Sequence, residues 1–216
     1  MDYLKGRREV LNTAREISAS KMVTGTWGNV SIRVENHPLI LITPSGMSYG
    51  TMSIEDIVLV DMQGNVVEGI WKPSVETPLH LEIYRNRPDV GAIVHVHSTY
   101  ATTYAVARKS IPVILEETAQ VIGHEILTAP YAICGSEELA GLAAQTLGDG
   151  QAVLLANHGL IGVGENSAAA LKVCQIAEKT ARVALLAIIL GDVQSLSVEE
   201  TAQLNSNFRN YGQAKI

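Results

Sequence analysis

The 216-residue sequence predicts an α/β fold of three layers, in which a central, mostly antiparallel or mixed β-sheet carries helices on both faces. Hydrophobic residues make up 47% of the chain and charged residues 18%, which allows a large core and argues against disorder. Strand and helix patterns mix along the chain without strict alternation, which favours antiparallel or mixed strand pairing. The length fits a single domain over residues 1–216.

The first third of the chain predicts one helix followed by several strands. Apolar residues at helical spacing predict a helix over residues 4–22. The glycines of TGTWGNVSIRV end this helix, and the β-branched residues after them predict a strand. PLILITPSGMSYG predicts a second strand that ends in a Pro/Ser/Gly turn, and IVLVDMQGNVV predicts a hairpin across Gln63–Asn65.

The remainder of the chain alternates between helical and strand patterns. A buried strand is predicted at Ala92–Val96, and AVLLANHGLIGVG predicts two apolar strands joined by a turn at Asn157–Gly159. Helical patterns cover four further segments, which are Thr77–Arg85, Thr99–Lys109, Glu137–Leu147 and Ser167–Leu190, and the end of the chain, Val198–Tyr211, predicts a short helix and a tail.

Charge and composition exclude several classes of partner. The net charge is -6 and no Lys/Arg run occurs, so nucleic acid is not an expected partner. The charged N-terminus has no secretory apolar run, and the longest apolar run, residues 183–190, is too short to cross a bilayer. We therefore expect a cytoplasmic protein without a membrane partner. Cys134 and Cys174 show no CxxC pattern and are expected to be core thiols.

The stretch VGAIVHVHST places His95 and His97 two residues apart in the predicted buried strand, so both side chains point to one face. Buried imidazoles need partners, and this spacing lets two rings share one metal ion. His158, in the turn between two apolar strands, is the best candidate for a third ligand. Core histidines with ordinary hydrogen bonds remain the alternative.

Glu76, in KPSVETPLH, has three possible roles: a fourth metal ligand, a general base, or an acid favoured by the helix dipole. His80 lies one turn later and could equally belong to the core or the surface. The turns GTWGNVS, TPSGMS and KPSV expose N–H groups and hydroxyls, which can hold a phosphate. Ordinary turn chemistry is the alternative for each of them.

Five segments, in order along nearly the whole chain, resemble the class II aldolase/adducin-head family. They are GTWGNVSIR, LITPSGMSY, KPSVETPLHLEIYRNRPDVGAIVHVHS, TAPYAICGSEELA and LLANHGLIGVG. Activities in this family include aldol cleavage of L-fuculose 1-phosphate, dehydration of methylthioribulose 1-phosphate and 4-epimerisation of L-ribulose 5-phosphate. Its adducin branch is a non-catalytic interaction module.

The resemblance implies a Zn²⁺ ion, or another divalent metal such as Mn²⁺ or Co²⁺, on His95, His97 and His158, with Glu76 next to it. It also implies a phosphate site built from the three turns, with contributions from Gly28, Asn29, Ser45, Gly46 and Ser74. The third turn of the family's aldolases carries two serines before the acid, whereas this chain has Val75 in place of the second.

The implied reaction is cleavage of a ketose phosphate, similar to L-fuculose 1-phosphate, to dihydroxyacetone phosphate and an aldehyde through a metal-stabilised enediolate. Glu76 would exchange the proton at the enediolate carbon, and Tyr211 or Glu116 would handle the proton of the departing aldehyde. Tyr211 matches a family tyrosine, and Glu116 occupies the position of another. Dehydratase and epimerase activities are the second and third readings, and an adducin-like module is the non-catalytic one. The resemblance also implies a homotetramer with active sites at subunit interfaces.

Overall fold

The computed structural model describes residues 3–208, in which eight strands form one sheet. The strands are β1 (Asn29–Arg33), β2 (Leu39–Ile42), β3 (Val58–Asp61), β4 (Val66–Glu68), β5 (Ala92–Val96), β6 (Thr128–Ala129), β7 (Ala152–Leu155) and β8 (Gly159–Gly164). Their order is β4-β3-β2-β1-β5-β8-β7-β6, and every neighbouring pair is antiparallel except β6 and β7. The predicted mixed, mostly antiparallel sheet is therefore confirmed.

Helices cover both faces of this sheet, as predicted. They are α1 (Leu4–Ala19), α2 (Thr77–Asn86), α3 (Thr99–Ala107), α4 (Glu116–Val121), α5 (Glu137–Leu147), α6 (Ser167–Leu190) and α7 (Val198–Phe208), with a 3-10 turn at Ile54–Asp56. The apolar sides of α1, α3 and α6 form one core with the sheet, and those of α2 and α5 form a second core on the opposite face. Helices α4 and α7 pack against each other, and α4 also contacts α6.

Strand β5 lies in the middle of the sheet and is buried along its whole length. Val94 and Val96 face the core with α6, whereas Ile93 faces the core with α2. His95 has the same parity as Ile93, so it points to the α2 side of the sheet. The β1–β5 register pairs Asn29 with His95, which brings the start of β1 to the end of β5.

Two helices end earlier than their sequence patterns predict. Helix α1 ends at Ala19 and α3 at Ala107, because Lys21 and Arg108 adopt left-handed backbone conformations with φ of 58° and 57°. In each case the next N–H closes the helix end, since Met22 N–H donates to the Ile17 carbonyl and Lys109 N–H to the Tyr104 carbonyl. A glycine normally marks such an end, and here no glycine does.

Two short elements had no sequence signal, because helix α4 has six residues and strand β6 has two. Periodicity is informative only over longer windows. Among residues 3–208, none of the helices combines the length and the apolar character needed to cross a lipid bilayer.

Candidate metal centre and substrate pocket

Three imidazole rings meet at one end of the sheet. His95 lies in β5, His97 directly follows it, and His158 lies in the turn between β7 and β8. The Nε2 atom of His95 is 2.8 Å from that of His97 and 3.3 Å from that of His158. The ring centroids are 4.7 to 4.8 Å apart in all three pairs. The structure therefore brings together the three histidines singled out in the sequence.

The carboxylate of Glu76 joins this cluster from the residue before α2. Its Oε2 atom is 3.1 Å from His95 Nε2, and its Oε1 atom is 3.5 Å from His158 Nε2. The turn before it is held by Ser74, whose hydroxyl accepts the Glu76 N–H at 3.2 Å and whose carbonyl accepts the Thr77 hydroxyl at 2.6 Å. Glu76 is buried, and its Oε1 atom has no hydrogen-bond partner among residues 3–208.

The donor set fits a divalent metal ion. His95 Nδ1 lies 3.1 Å from the Leu160 carbonyl, and in the neutral ring it must donate there because a carbonyl only accepts. His95 Nε2 is then a bare lone pair that faces two further imidazoles and a carboxylate. A cation between these atoms would satisfy them, including the orphaned Glu76 Oε1, and imidazole with carboxylate suits zinc and other first-row divalent metals.

The electrostatics of the cluster keep two of its three rings, and the carboxylate, in the forms that bind metal. Burial, followed by repulsion from His95, lowers the pKa of His97 to about 3 and that of His158 to about 4, so both rings are neutral at pH 7. Burial opposes the charged form of His95, yet the Glu76 carboxylate raises the pKa of that ring. Burial also opposes ionisation of Glu76, but His95, His158 and Asn29 lower its pKa well below the usual range.

Two glycines allow the backbone to approach the cluster closely. Gly28 has φ of +80°, and a Cβ atom there would lie 2.6 Å from the His95 carbonyl oxygen. Gly159 opens β8 directly beside the rings of His95 and His97, where a Cβ atom would also collide with backbone. Both positions lie in the segments GTWGNVSIR and LLANHGLIGVG.

A pocket of about 430 Å³ opens beside the cluster, within the size range of small-molecule sites. It is lined by Thr26, Trp27, Gly28, Asn29, Pro44, Ser45, Gly46, Ser74, Val75, Glu76, His97, Tyr131, Ala132, Cys134, Asn157 and His158. All five residues assigned to the phosphate site on the family resemblance line it. Among residues 3–208, none of the lining residues is Lys or Arg, so an anion bound at the three turns would meet hydroxyl, amide and N–H groups.

Hydrogen bonds join the three turns that form this wall of the pocket. Ser45 N–H donates to the Lys72 carbonyl at 2.9 Å, and Ser74 N–H donates to the Thr43 carbonyl at 3.1 Å. The Tyr49 hydroxyl donates to the Gly28 carbonyl, which fixes the first turn to the second. The three turns are therefore one structure, although they are separate in the sequence.

The prediction of two core thiols is wrong for Cys134, although it holds for the buried Cys174. Cys134 is exposed in the loop between β6 and α5, with Sγ within 4.8 Å of ligand atoms of Glu76 and His158. Burial within the pocket, and then the negative charge of Glu76, raises the pKa of its thiol to about 11. Loop residues carry no periodicity, so this position could not be predicted from the sequence.

Other residues that line the pocket were also not predicted from the sequence. Trp27 and Tyr131 stand at its rim with 65% and 60% of their surface exposed, and Asn157 lines it in a left-handed conformation. Glu116 lies elsewhere, exposed in the first turn of α4, and does not line the pocket. Tyr211 lies outside the described residues.

This chain is similar to known aldolases along most of its length. Residues 8–185 match the family model described as class II aldolase and adducin N-terminal domain. The chain is 36% identical over 209 residues to a 5-deoxy-D-ribulose 1-phosphate aldolase of Bacillus thuringiensis serovar kurstaki, covering 97% of this chain and 98% of that protein. It is also 36% identical over 213 residues to the L-fuculose phosphate aldolase of Escherichia coli K12, covering 98% of each.

Among solved structures, an L-fuculose 1-phosphate aldolase superposes with a TM-score of 0.92 at 35% identity, covering 95% of this chain and 96% of the other. The family match spans most of the chain, and it includes the three histidines, Glu76 and the three turns of the pocket. This chain therefore belongs to the class II aldolase and adducin N-terminal domain family.

Proposed function

We propose that this protein is a divalent-metal-dependent aldolase that cleaves a ketose 1-phosphate to dihydroxyacetone phosphate and an aldehyde. The observation that carries the proposal is the convergence of three imidazoles and one carboxylate on a pocket walled by hydroxyl and N–H groups. Two of the similar aldolases are named for ketose 1-phosphates. In any such sugar, cleavage between C3 and C4 leaves dihydroxyacetone phosphate.

The proposed ligands are His95, His97 and His158, with Glu76 as the fourth group. A metal ion held there would supply Lewis-acid polarisation of the substrate carbonyl. The protein contributes a rigid frame, because His95 belongs to the buried central strand and His158 to a tight turn. A non-catalytic adducin-like module has no need to keep this donor set together.

Cleavage transfers one proton overall, from the hydroxyl on C4 to carbon C3. We assign proton exchange at C3 to Glu76, which lines the pocket and is ionised in the resting site. The C4 proton is assigned to Tyr211 or Glu116. Since Glu116 is exposed and remote from the pocket of its own subunit, this role requires a neighbouring subunit.

The phosphate is assigned to the joined turns, through Gly28, Asn29, Ser45, Gly46 and Ser74. In the part of the chain that the structure describes, no Lys or Arg side chain lines the pocket, so we expect recognition by hydrogen bonds rather than by ion pairs. Val75, which stands in place of a second serine, has no hydroxyl group and can contact the phosphate only through its backbone N–H. Its side chain is 61% exposed.

The wider proposal covers the metal, the assembly and the location. We propose Zn²⁺, or Mn²⁺ or Co²⁺, in a single-domain cytoplasmic protein that forms a homotetramer with active sites at subunit interfaces. Exposed apolar side chains at the end of α6, including Ile189 and Leu190, support an interface there. Size-exclusion chromatography with light scattering tests the assembly.

The decisive experiment is a panel of ketose phosphates with the metal-loaded protein. Dihydroxyacetone phosphate is followed by a coupled NADH assay, and the aldehyde is measured separately. We expect both products in equal amounts, and a loss of at least about 10³-fold in kcat for Glu76→Gln. Glu138→Gln, an exposed acid in the first turn of α5, is the matched control and should match wild type.

Other products would contradict the proposal in distinct ways. A diketone without dihydroxyacetone phosphate would identify a dehydratase, and an isomeric ketose phosphate would identify an epimerase. Absence of turnover with the whole panel, with Glu76→Gln indistinguishable from wild type in metal binding, would favour the non-catalytic module.

A further inference from the structure

Behind Glu76, a continuous chain of buried side chains runs from the metal cluster into the core. Asn29 Nδ2 donates to Glu76 Oε2 at 2.8 Å, and Asn29 Oδ1 is 2.5 Å from His80 Nε2. On the other side of the ring, His80 Nδ1 is 2.6 Å from Ser31 Oγ, which is 2.9 Å from the Tyr84 hydroxyl. All five side chains are buried.

This chain of hydrogen bonds forms because a strand and a helix each place polar side chains on the faces that meet. Asn29 and Ser31 are two residues apart in β1 and point to one face of the sheet. Glu76, His80 and Tyr84 are spaced four residues apart along α2 and form one stripe on that helix. Packing α2 on the sheet brings the strand pair against the helical stripe, and the hydrogen bonds alternate between the two elements.

The charge of Glu76 sets the direction of every bond in the chain. A carboxylate only accepts, so the Asn29 amide must present its NH2 group to Glu76 and its oxygen to His80. His80 Nε2 must then carry the hydrogen. In the neutral ring Nδ1 accepts from the Ser31 hydroxyl, which leaves Tyr84 as the donor to Ser31.

The burial of His80 and Tyr84 favours these protonation states. Burial lowers the pKa of His80 to about 3, so the ring is neutral and has one bare nitrogen. Burial raises the pKa of the Tyr84 hydroxyl, so it keeps its proton. The Asn29 amide separates Glu76 from the imidazole, and an amide does not readily accept and pass on a proton. The chain is therefore suited to hold Glu76 in position and not to conduct protons to it.

We propose that His80, Ser31 and Tyr84 are positioning residues that lock the Asn29 amide with its NH2 group on Glu76 and thereby fix the carboxylate between the metal ligands and the pocket. The positioning itself follows from the hydrogen bonds, while its effect on turnover rests on the proposed aldolase function. Without His80, the Asn29 amide can rotate and turn its oxygen toward the carboxylate, which repels it.

The first test is independent of activity. Long-range ¹⁵N–¹H NMR of the full-length, zinc-loaded protein distinguishes imidazole tautomers, and a His80→Gln spectrum assigns the ring. We expect the hydrogen of His80 on Nε2. A hydrogen on Nδ1 would reverse the direction of the chain and overturn the proposal.

The second test compares two substitutions of His80. His80→Phe keeps a ring but removes the donor, and we expect a 10- to 100-fold loss in kcat and an altered visible spectrum of the Co²⁺-loaded protein. His80→Gln can still place an N–H near the Asn29 oxygen and should recover most of both losses. If folded His80→Phe keeps the wild-type spectrum and a kcat within about twofold of wild type, the proposal is wrong.

Tyr84→Phe covers the case in which His80→Phe does not fold, because it removes one oxygen atom at the far end of the chain. We expect a smaller shift of the Co²⁺ spectrum in the same direction, and an unchanged spectrum would count against the proposal. If wild type turns over no ketose phosphate, the aldolase proposal fails alone, because the tautomer and the Co²⁺ spectra still decide whether this chain positions Glu76.

Discussion

Replacing Gly159 by alanine tests whether the metal cluster depends on close backbone packing. A Cβ atom at this position would lie 2.4 Å from the Val96 carbonyl oxygen and 3.0 and 3.1 Å from ring carbons of His97 and His95. The carbonyl would have to retreat by about 1 Å to reach ordinary contact. Because Val96 pairs with Leu160 in the β5–β8 ladder, the retreat displaces the strand that carries both histidines. Overpacking of this kind costs about 1–3 kcal/mol.

Two measurements check this prediction. Urea unfolding of Gly159→Ala should show a free energy of unfolding lower by about 1–3 kcal/mol. Competition with a chromophoric chelator should show metal affinity reduced by about tenfold or more. Gly141→Ala is the matched control, since a Cβ atom there meets nothing within 4 Å in α5. It should be more stable by up to about 1 kcal/mol, with unchanged metal affinity. If Gly159→Ala equals wild type in both measurements, the close packing described here is wrong.

Three further predictions concern metal, pH and thiol chemistry. Chelation should abolish turnover while the circular dichroism spectrum persists, and Zn²⁺, Mn²⁺ or Co²⁺ should restore turnover; unfolding on chelation would contradict this. The pKa of His80 is near 3 in the fold and near 6.5 in the unfolded chain, so between these values the unfolded state binds more protons and the free energy of unfolding decreases as the pH is lowered. His80→Gln should therefore gain stability relative to wild type by about 1.4 kcal/mol per pH unit below 6.5, and parallel pH profiles from urea unfolding would refute it. Because the raised pKa of Cys134 keeps its exposed thiol protonated near pH 7, iodoacetamide should inactivate wild type slowly there and faster at more alkaline pH, while Cys134→Ser stays active; equal inactivation of both would contradict this.

The centre of the site could be predicted from the sequence because two patterns, neither decisive alone, coincide there. The two-residue spacing of His95 and His97 lies within an apolar run, so strand, burial and shared face followed from one pattern. The turn at His158 is equally clear from its flanking strands. The proximity of Glu76 came from the family resemblance, since no periodicity connects it with β5.

The remaining features depend on tertiary register or on unusual backbone conformations. The hydrogen-bond partners of His80 lie in β1 and depend on the packing of α2 against that strand. A single sequence does not indicate which strand a helix will cover. Lys21 and Arg108 end their helices in a conformation that favours glycine, so the helical pattern continued past the true ends. Cys134 lies in a loop, where composition alone suggested a core position.

The pairing of β5 with β8 is the junction between two blocks of the sheet, one contributed by residues 29–96 and the other by residues 128–164. Glu76, His95 and His97 come from the first block, whereas His158 comes from the second. A chain cut in the loop between α3 and α4 would thus separate the two blocks into fragments, neither of which holds the full donor set. Tight metal binding would be recovered only when the fragments associate. Metal binding would therefore report directly on the association of the two blocks of the sheet.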